Sequence, residues 1–152
     1  MAEQIKKRDE IDAQWKWNLT HIFPSDEAWE AAGAEVMKEV EALAARQGHV
    51  AEDPKGVIRA YFALAEKLDE IGGYAFLRQE TDNGDSVAQG IKSKAMGMLV
   101  KCQTLISFME PELLTLSEEE LIALQNAPDM AEYSELVRGL IRNKPHTLSP
   151  AE

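Results

Sequence analysis

An all-α fold is what this 152-residue sequence predicts, and three features carry the prediction. Apolar residues recur at steps of three and four over long segments, and helix-start signals precede those segments. With 45% apolar residues in 152, the chain can bury one sizeable core without disulfide or metal staples. The expected architecture is three long amphipathic helices plus one short helix in a bundle over residues 25–152. An extended N-terminal lead-in, residues 1–24, is expected to pack on the helices.

In the lead-in, Trp15, Trp17 and Leu19 alternate, which places all three on one side of an extended segment. We read them as packing anchors rather than a ligand platform. Ser25 followed by Asp26 and Glu27 is an N-cap with acids in the first turn, where the helix dipole favours negative charge. Trp29, Ala32, Val36, Val40 and Leu43 then form one stripe lasting to about Arg46, and Gly48 ends the helix. Asp53-Pro54 repeats the start signal. Ile58, Tyr61, Ala65, Leu68, Gly72 and Ala75 carry the next seam straight through Gly72-Gly73. That predicts one helix from Pro54 to about Glu80, ~40 Å long, with a kink at the glycines as the alternative. Gly72 on the seam is expected to let a neighbouring helix come close.

Thr81-Asp82-Asn83-Gly84-Asp85-Ser86 groups turn formers. A calcium loop counted from Asp82 would need Glu at its twelfth position, where Ser93 stands, so we read a turn with an Asp85 or Ser86 cap. The third helix carries Val87, Ile91, Ala95, Met98, Cys102, Leu105 and Met109. Leu99 and Ile106 widen its stripe enough to face two neighbours. Met96, Met98 and Met109 read as core filler and Cys102 as a buried small hydrophobe. Pro111 should end this helix. Ser117 and Glu120 form a capping box that opens a short helix through about Gln125, followed by a turn at Ala127-Pro128. Tyr133, Leu136, Val137, Leu140 and Ile141 mark a further helix that stops before Pro145. Ser149-Pro150-Ala151-Glu152 is again a helix start, which we read as the beginning of a further helix in a longer polypeptide.

With 27 acidic against 16 basic residues, the net charge of −11 opposes binding to nucleic acid or an anionic membrane. Cys102 stands alone, the N-terminus lacks an apolar leader, and no run approaches the ~20 apolar residues of a membrane span, so a soluble cytoplasmic protein is expected. Between Cys102 and Val137 lie eight acids and no Lys or Arg; we read a solvated face rather than a docking site for cationic peptides. His21, His49 and His146 lack the spacing with Glu that a zinc helix needs, and His49 and Glu52 fall in a loop. Phosphate-binding glycine loops and nucleophile elbows are missing as well. Catalytic, cofactor-binding and metal residues are therefore assigned to none of the positions.

Trp15-Lys16-Trp17-Asn18-Leu19-Thr20-His21-Ile22-Phe23-Pro24 and the capped helix after it resemble the opening of the oligoendopeptidase F family, whose zinc metallopeptidases are thimet-oligopeptidase-like. Tyr74-Ala75-Phe76-Leu77 through Asp82 is similar to that family's Tyr-Ala segment. Arg142-Asn143-Lys144-Pro145-His146-Thr147-Leu148-Ser149 with Glu152 is similar to its Arg-x-Lys-Pro-His-x-Leu-Ser phrase. Asn18 stands where Asp is commoner.

The resemblance implies an intracellular zinc metallopeptidase that hydrolyses oligopeptides inside a channel walled by helices. Its His-Glu-x-x-His motif and further Glu ligand would lie downstream, so the cofactor, zinc, is implied for the full-length protein and not for this chain. The implied partners are the C-terminal catalytic region of the same polypeptide and oligopeptide substrates. In isolation this piece is expected to be inactive and to self-associate through an uncovered helix face. The alternative is a self-contained acidic helical interaction module with no enzymatic role.

Overall fold

The computed structural model describes residues 8–147. Six α-helices account for most of them: α1 Asp26–Ala44, α2 Pro54–Glu80, α3 Ser86–Ile106, α4 Met109–Leu113, α5 Glu118–Asn126 and α6 Ser134–Asn143. No β-strand occurs among the described residues. The helix start expected at Ser149-Pro150-Ala151-Glu152, and the Leu148-Ser149 end of the Pro-His phrase, lie outside the described residues, as does the start of the lead-in. The chain divides into two compact units, residues 8–39 with 65–102 and residues 40–64 with 103–147.

The lead-in departs from the extended form. Three short 3-10 turns, Arg8–Glu10, Ala13–Trp15 and Leu19–His21, replace it. Asp12 and Asn18 each turn a side-chain oxygen back onto a backbone N–H two residues on, at 3.1 and 3.2 Å. Such local bonds compete with extended backbone, and they undo the alternation. Trp15 and Trp17 are consequently 78% and 61% exposed, so neither is a packing anchor. Phe23 takes that role, its ring meeting Tyr74 edge-on at 5.5 Å.

In the first unit the buried residues are Trp29 and Val36 of α1, Ile71, Tyr74 and Ala75 of α2, and Ala88, Ile91, Ala95 and Cys102 of α3. Trp29 is fully buried, and its indole N–H donates to the Ile71 carbonyl at 2.9 Å, so the ring adds apolar area without stranding a donor. Ser25 caps α1 by accepting from the Ala28 N–H at 3.2 Å. The seam of α2 passes unbroken through Gly72-Gly73, giving a single 27-residue helix. The tight helix approach sits elsewhere than expected. A Cβ at Gly72 would meet Leu99 at an ordinary 3.5 Å, whereas one at Gly33 would press Met98 Cε at 2.8 Å.

Asp85 is the cap of α3, accepting from Val87 N–H at 2.9 Å and Ala88 N–H at 3.4 Å. The inward face of α3 begins at Ala88, one residue after the expected Val87, which is 60% exposed. Met96 is also exposed, leaving Met98 half-buried and Met109 buried as the methionines that fill space.

In the second unit, Val40, Leu43, Val50, Val57, Ile58 and Leu64 are buried, as are Leu113, Leu121, Leu124, Met130, Val137 and Leu140. Pro111 does not end the third helix. α3 stops at Ile106, and Pro111 lies in the first turn of α4, where its missing N–H would have had no helical partner anyway. The capping box at Ser117 is complete: Glu120 N–H donates to Ser117 Oγ at 3.2 Å, and Ser117 N–H donates to the Glu120 carboxylate at 2.7 Å. α6 ends ahead of Pro145, and Lys144 Nζ then donates to the Leu114 carbonyl at 2.6 Å.

Candidate functional site

A concavity of about 980 Å³ lies in the first unit between the lead-in and the 81–85 turn. Trp17, Phe23, Tyr74, Arg78 and Asp85 are among the residues lining it. Tyr74 and Arg78 stand one turn apart on α2. The Tyr74 hydroxyl donates to Asp26 Oδ1 at 2.6 Å, and Arg78 pairs with Asp85 at 2.9 Å and with Asp26 at 3.5 Å. Burial and the Asp26 carboxylate push the Tyr74 phenol up to about 12, since both disfavour a phenolate. Burial pulls against the Arg78 charge, but Asp85 and Asp26 outweigh it and leave its pKa raised.

A phenol held neutral and a guanidinium occupied by two carboxylates are poor acid, base or oxyanion groups near neutral pH. The cluster holds the start of α1, the end of α2 and the start of α3 together; it is a structural clamp. Sequence reasoning placed Asp26 correctly in a first turn but gave it only the helix dipole. Only the i,i+4 spacing of Tyr74 and Arg78 hinted at a shared partner.

The other singled-out residues do not converge. His49 Nδ1 and Glu52 form an exposed pair at 2.7 Å, and hydrogen bonding to Glu52 raises the imidazole pKa. Cys102 is buried, its Sγ 3.4 Å from Met37 Sδ, and burial pushes its thiol up, away from nucleophilic thiolate. Among the eight acids of the 102–137 stretch, Glu135 pairs with Arg138 one turn on at 2.9 Å, and three others reach further partners or a cap. Glu112 accepts from Gly48 N–H at 2.7 Å and Val50 N–H at 3.4 Å, Glu120 closes the capping box, and Asp129 binds Lys55 and Arg59 at 2.8 and 2.6 Å. Among the described residues no group of three or more His, Cys, Asp or Glu side chains is placed to hold a metal ion. The described residues thus offer no site for the zinc that the resemblance implies for the full-length protein. No helix among the described residues is long and apolar enough to cross a membrane.

An all-helical region, tied in its first unit by the Asp26, Tyr74, Arg78 and Asp85 clamp, is the class of protein this geometry defines. Comparison with known proteins gives it relatives. Residues 112–152 match the family profile described as Oligopeptidase F. The chain is 29% identical over 149 residues to the group B oligopeptidase PepB of Streptococcus agalactiae, covering 95% of this chain and 25% of that protein. It is 28% identical over 155 residues to the oligopeptidase PepF of Bacillus subtilis, covering 99% and 23%. A crystal structure of a candidate peptidase from Chlamydophila abortus shares the fold, with a TM-score of 0.81 at 22% identity over 97% of this chain and 26% of that one. The resemblance read from the sequence holds: the chain is similar to the N-terminal region of oligoendopeptidase F proteins. It spans about a quarter of the length of the curated relatives it matches.

Proposed function

We propose that this chain is the non-catalytic N-terminal helical portion of a zinc-dependent oligopeptidase acting on short peptides in the cytoplasm. In that enzyme it forms part of the wall limiting access to the substrate channel. The observation that carries the reading is similarity over 95% or more of this chain to proteins named oligopeptidases, of which it spans only about a quarter. Zinc and the peptide-cleaving groups belong, on this reading, to the remaining three quarters. The clamp of Asp26, Tyr74, Arg78 and Asp85 suits a wall, because it fixes three helices without offering a reactive group.

The test has two parts. The reading frame beyond residue 152 should continue to a His-Glu-x-x-His, and that whole polypeptide should cleave a quenched oligopeptide, lose activity to a chelator and regain it with zinc. The 152-residue chain should cleave nothing. Zinc-dependent cleavage by the 152-residue chain itself would sink the assignment.

The exposure of Trp15 and Trp17 favours a second reading, a self-contained interaction module that grips a partner with these two rings. A reading frame closing at Glu152 would select it.

A further inference from the structure

We propose that one face of α3, formed by Gln89, Gly90, Ser93, Met96, Gly97 and Val100, is the docking surface for a helix from the remainder of the polypeptide. This rests on the reading above that the chain is one region of a longer peptidase.

At ~100° per residue these six positions fall within an arc of about 120°, on the side of the helix away from Ala88, Ile91, Ala95 and Cys102. All six are exposed, Met96 by 44% and Val100 by 57%. None carries a charge, in a chain with 28% charged residues and a net charge of −11. The lysines of α3 lie off this arc, and two of them turn to neighbouring carboxylates, Lys94 to Glu30 and Lys92 to Glu80. An exposed helix face normally carries charged and polar side chains. This one is composed like a face that becomes buried.

Gly90 and Gly97 stand two turns apart on it, with Ser93 between. Neither has a positive φ, and a Cβ added to either meets nothing within 4 Å. Nothing among the described residues therefore requires glycine at these sites, although each glycine weakens the helix relative to alanine. Gly73 and Gly139 are similarly open, but each is alone on its face. Along the Gly90-Ser93-Gly97 line no large side chain stands beside Met96 and Val100, so the ridge of another helix would come in at short interaxial distance.

The occupant follows from length and charge. The relatives are about four times as long as this chain, so three quarters of each lie outside the corresponding region and can supply a covering helix. Burying an uncharged face desolvates no ion, and a helix with a ridge of large apolar side chains complements the line of small residues.

Ser93→Cys, made in the 152-residue chain and in the polypeptide its gene encodes, tests this by the rate of maleimide modification relative to the unfolded chain. We expect modification to be about tenfold or more slower in the longer polypeptide. Equal rates in a longer polypeptide that still cleaves peptides overturn the docking alone. A gene with no downstream helices overturns the peptidase reading and the docking with it. Protection in the 152-residue chain that grows with concentration assigns the face to a second copy and overturns the proposed occupant. Gly97→Leu gives an independent readout: it should raise the Tm of the 152-residue chain and lower that of the longer polypeptide. A rise in both overturns the proposal.

Discussion

The Tyr74 hydroxyl donates to Asp26 Oδ1 at 2.6 Å, tying the last third of α2 to the first residue of α1. Tyr74→Phe keeps the ring against Phe23 and Trp29 but removes the donor. We expect a loss of about 1–2 kcal/mol, seen as a Tm lower by about 2–6 °C in thermal denaturation. The phenol should titrate at about 12 by ultraviolet absorbance, against ~10 in the unfolded chain. Between those values the unfolded state releases the proton first. This contribution to stability is therefore complete below pH ~10 and disappears as pH rises through about 12. A wild-type phenol titrating at the ordinary value would contradict the arrangement.

Gly33 and Met98 set how closely α1 and α3 approach. The atom that an added Cβ would press is the terminal methyl of a flexible side chain, at 2.8 Å. Gly33→Ala should accordingly be close to neutral, whereas Gly33→Leu overfills the site and should cost about 1–3 kcal/mol. Combining it with Met98→Ala should recover part of the loss, a non-additivity measurable by urea denaturation of the four proteins.

Asp53 folds back over the first turn of α2, accepting from Gly56 N–H at 2.9 Å and meeting Arg46 at 3.1 Å. A Cβ at Gly56 would collide with Asp53 Oδ2. Gly56→Ala should therefore lower Tm, although alanine is the better helix former. The Gly56 N–H and Arg46 hold the Asp53 carboxyl below its ordinary pKa. Its stabilising effect is complete above the unfolded value near 4 and is lost as pH falls through the folded one. Asp53→Asn should flatten that part of an acid denaturation curve.

Glu112 serves the loop after α1 by accepting from the Gly48 and Val50 amides. Glu112→Ala leaves both donors without this partner. Amide hydrogen exchange at Gly48 and Val50 should speed up by about tenfold or more, while exchange in the middle of α2 changes little. Unchanged exchange at both amides would show that the carboxylate does not hold this loop.

Much of the secondary structure was written locally. Ser25, Asp53, Asp85 and Ser117 each cap the helix they precede, because a short polar side chain and the N–H groups it satisfies lie within four residues of one another. The 3,4 stepping through Gly72 was enough to predict an unbroken α2, since a continuous seam outweighs two unfavourable propensities. Pro111 misled because proline ends a helix from inside but starts one comfortably, and which applies depends on where the preceding turn closes. The lead-in misled because Asp12 and Asn18 capture nearby backbone donors, a competition that alternation of Trp15, Trp17 and Leu19 does not reveal.

From residues alone came the all-helical class, the helix starts and the likeness to oligoendopeptidase F, all properties of neighbours in sequence or of a motif's own wording. Tertiary structure alone decided that Asp26, Tyr74, Arg78 and Asp85 meet, that Gly33 rather than Gly72 takes the close contact, and that Glu112 serves a loop more than sixty residues earlier. Those pairings depend on helix rotation and separation. Both are set by how side chains interlock across a whole unit, and no short stretch of chain encodes either.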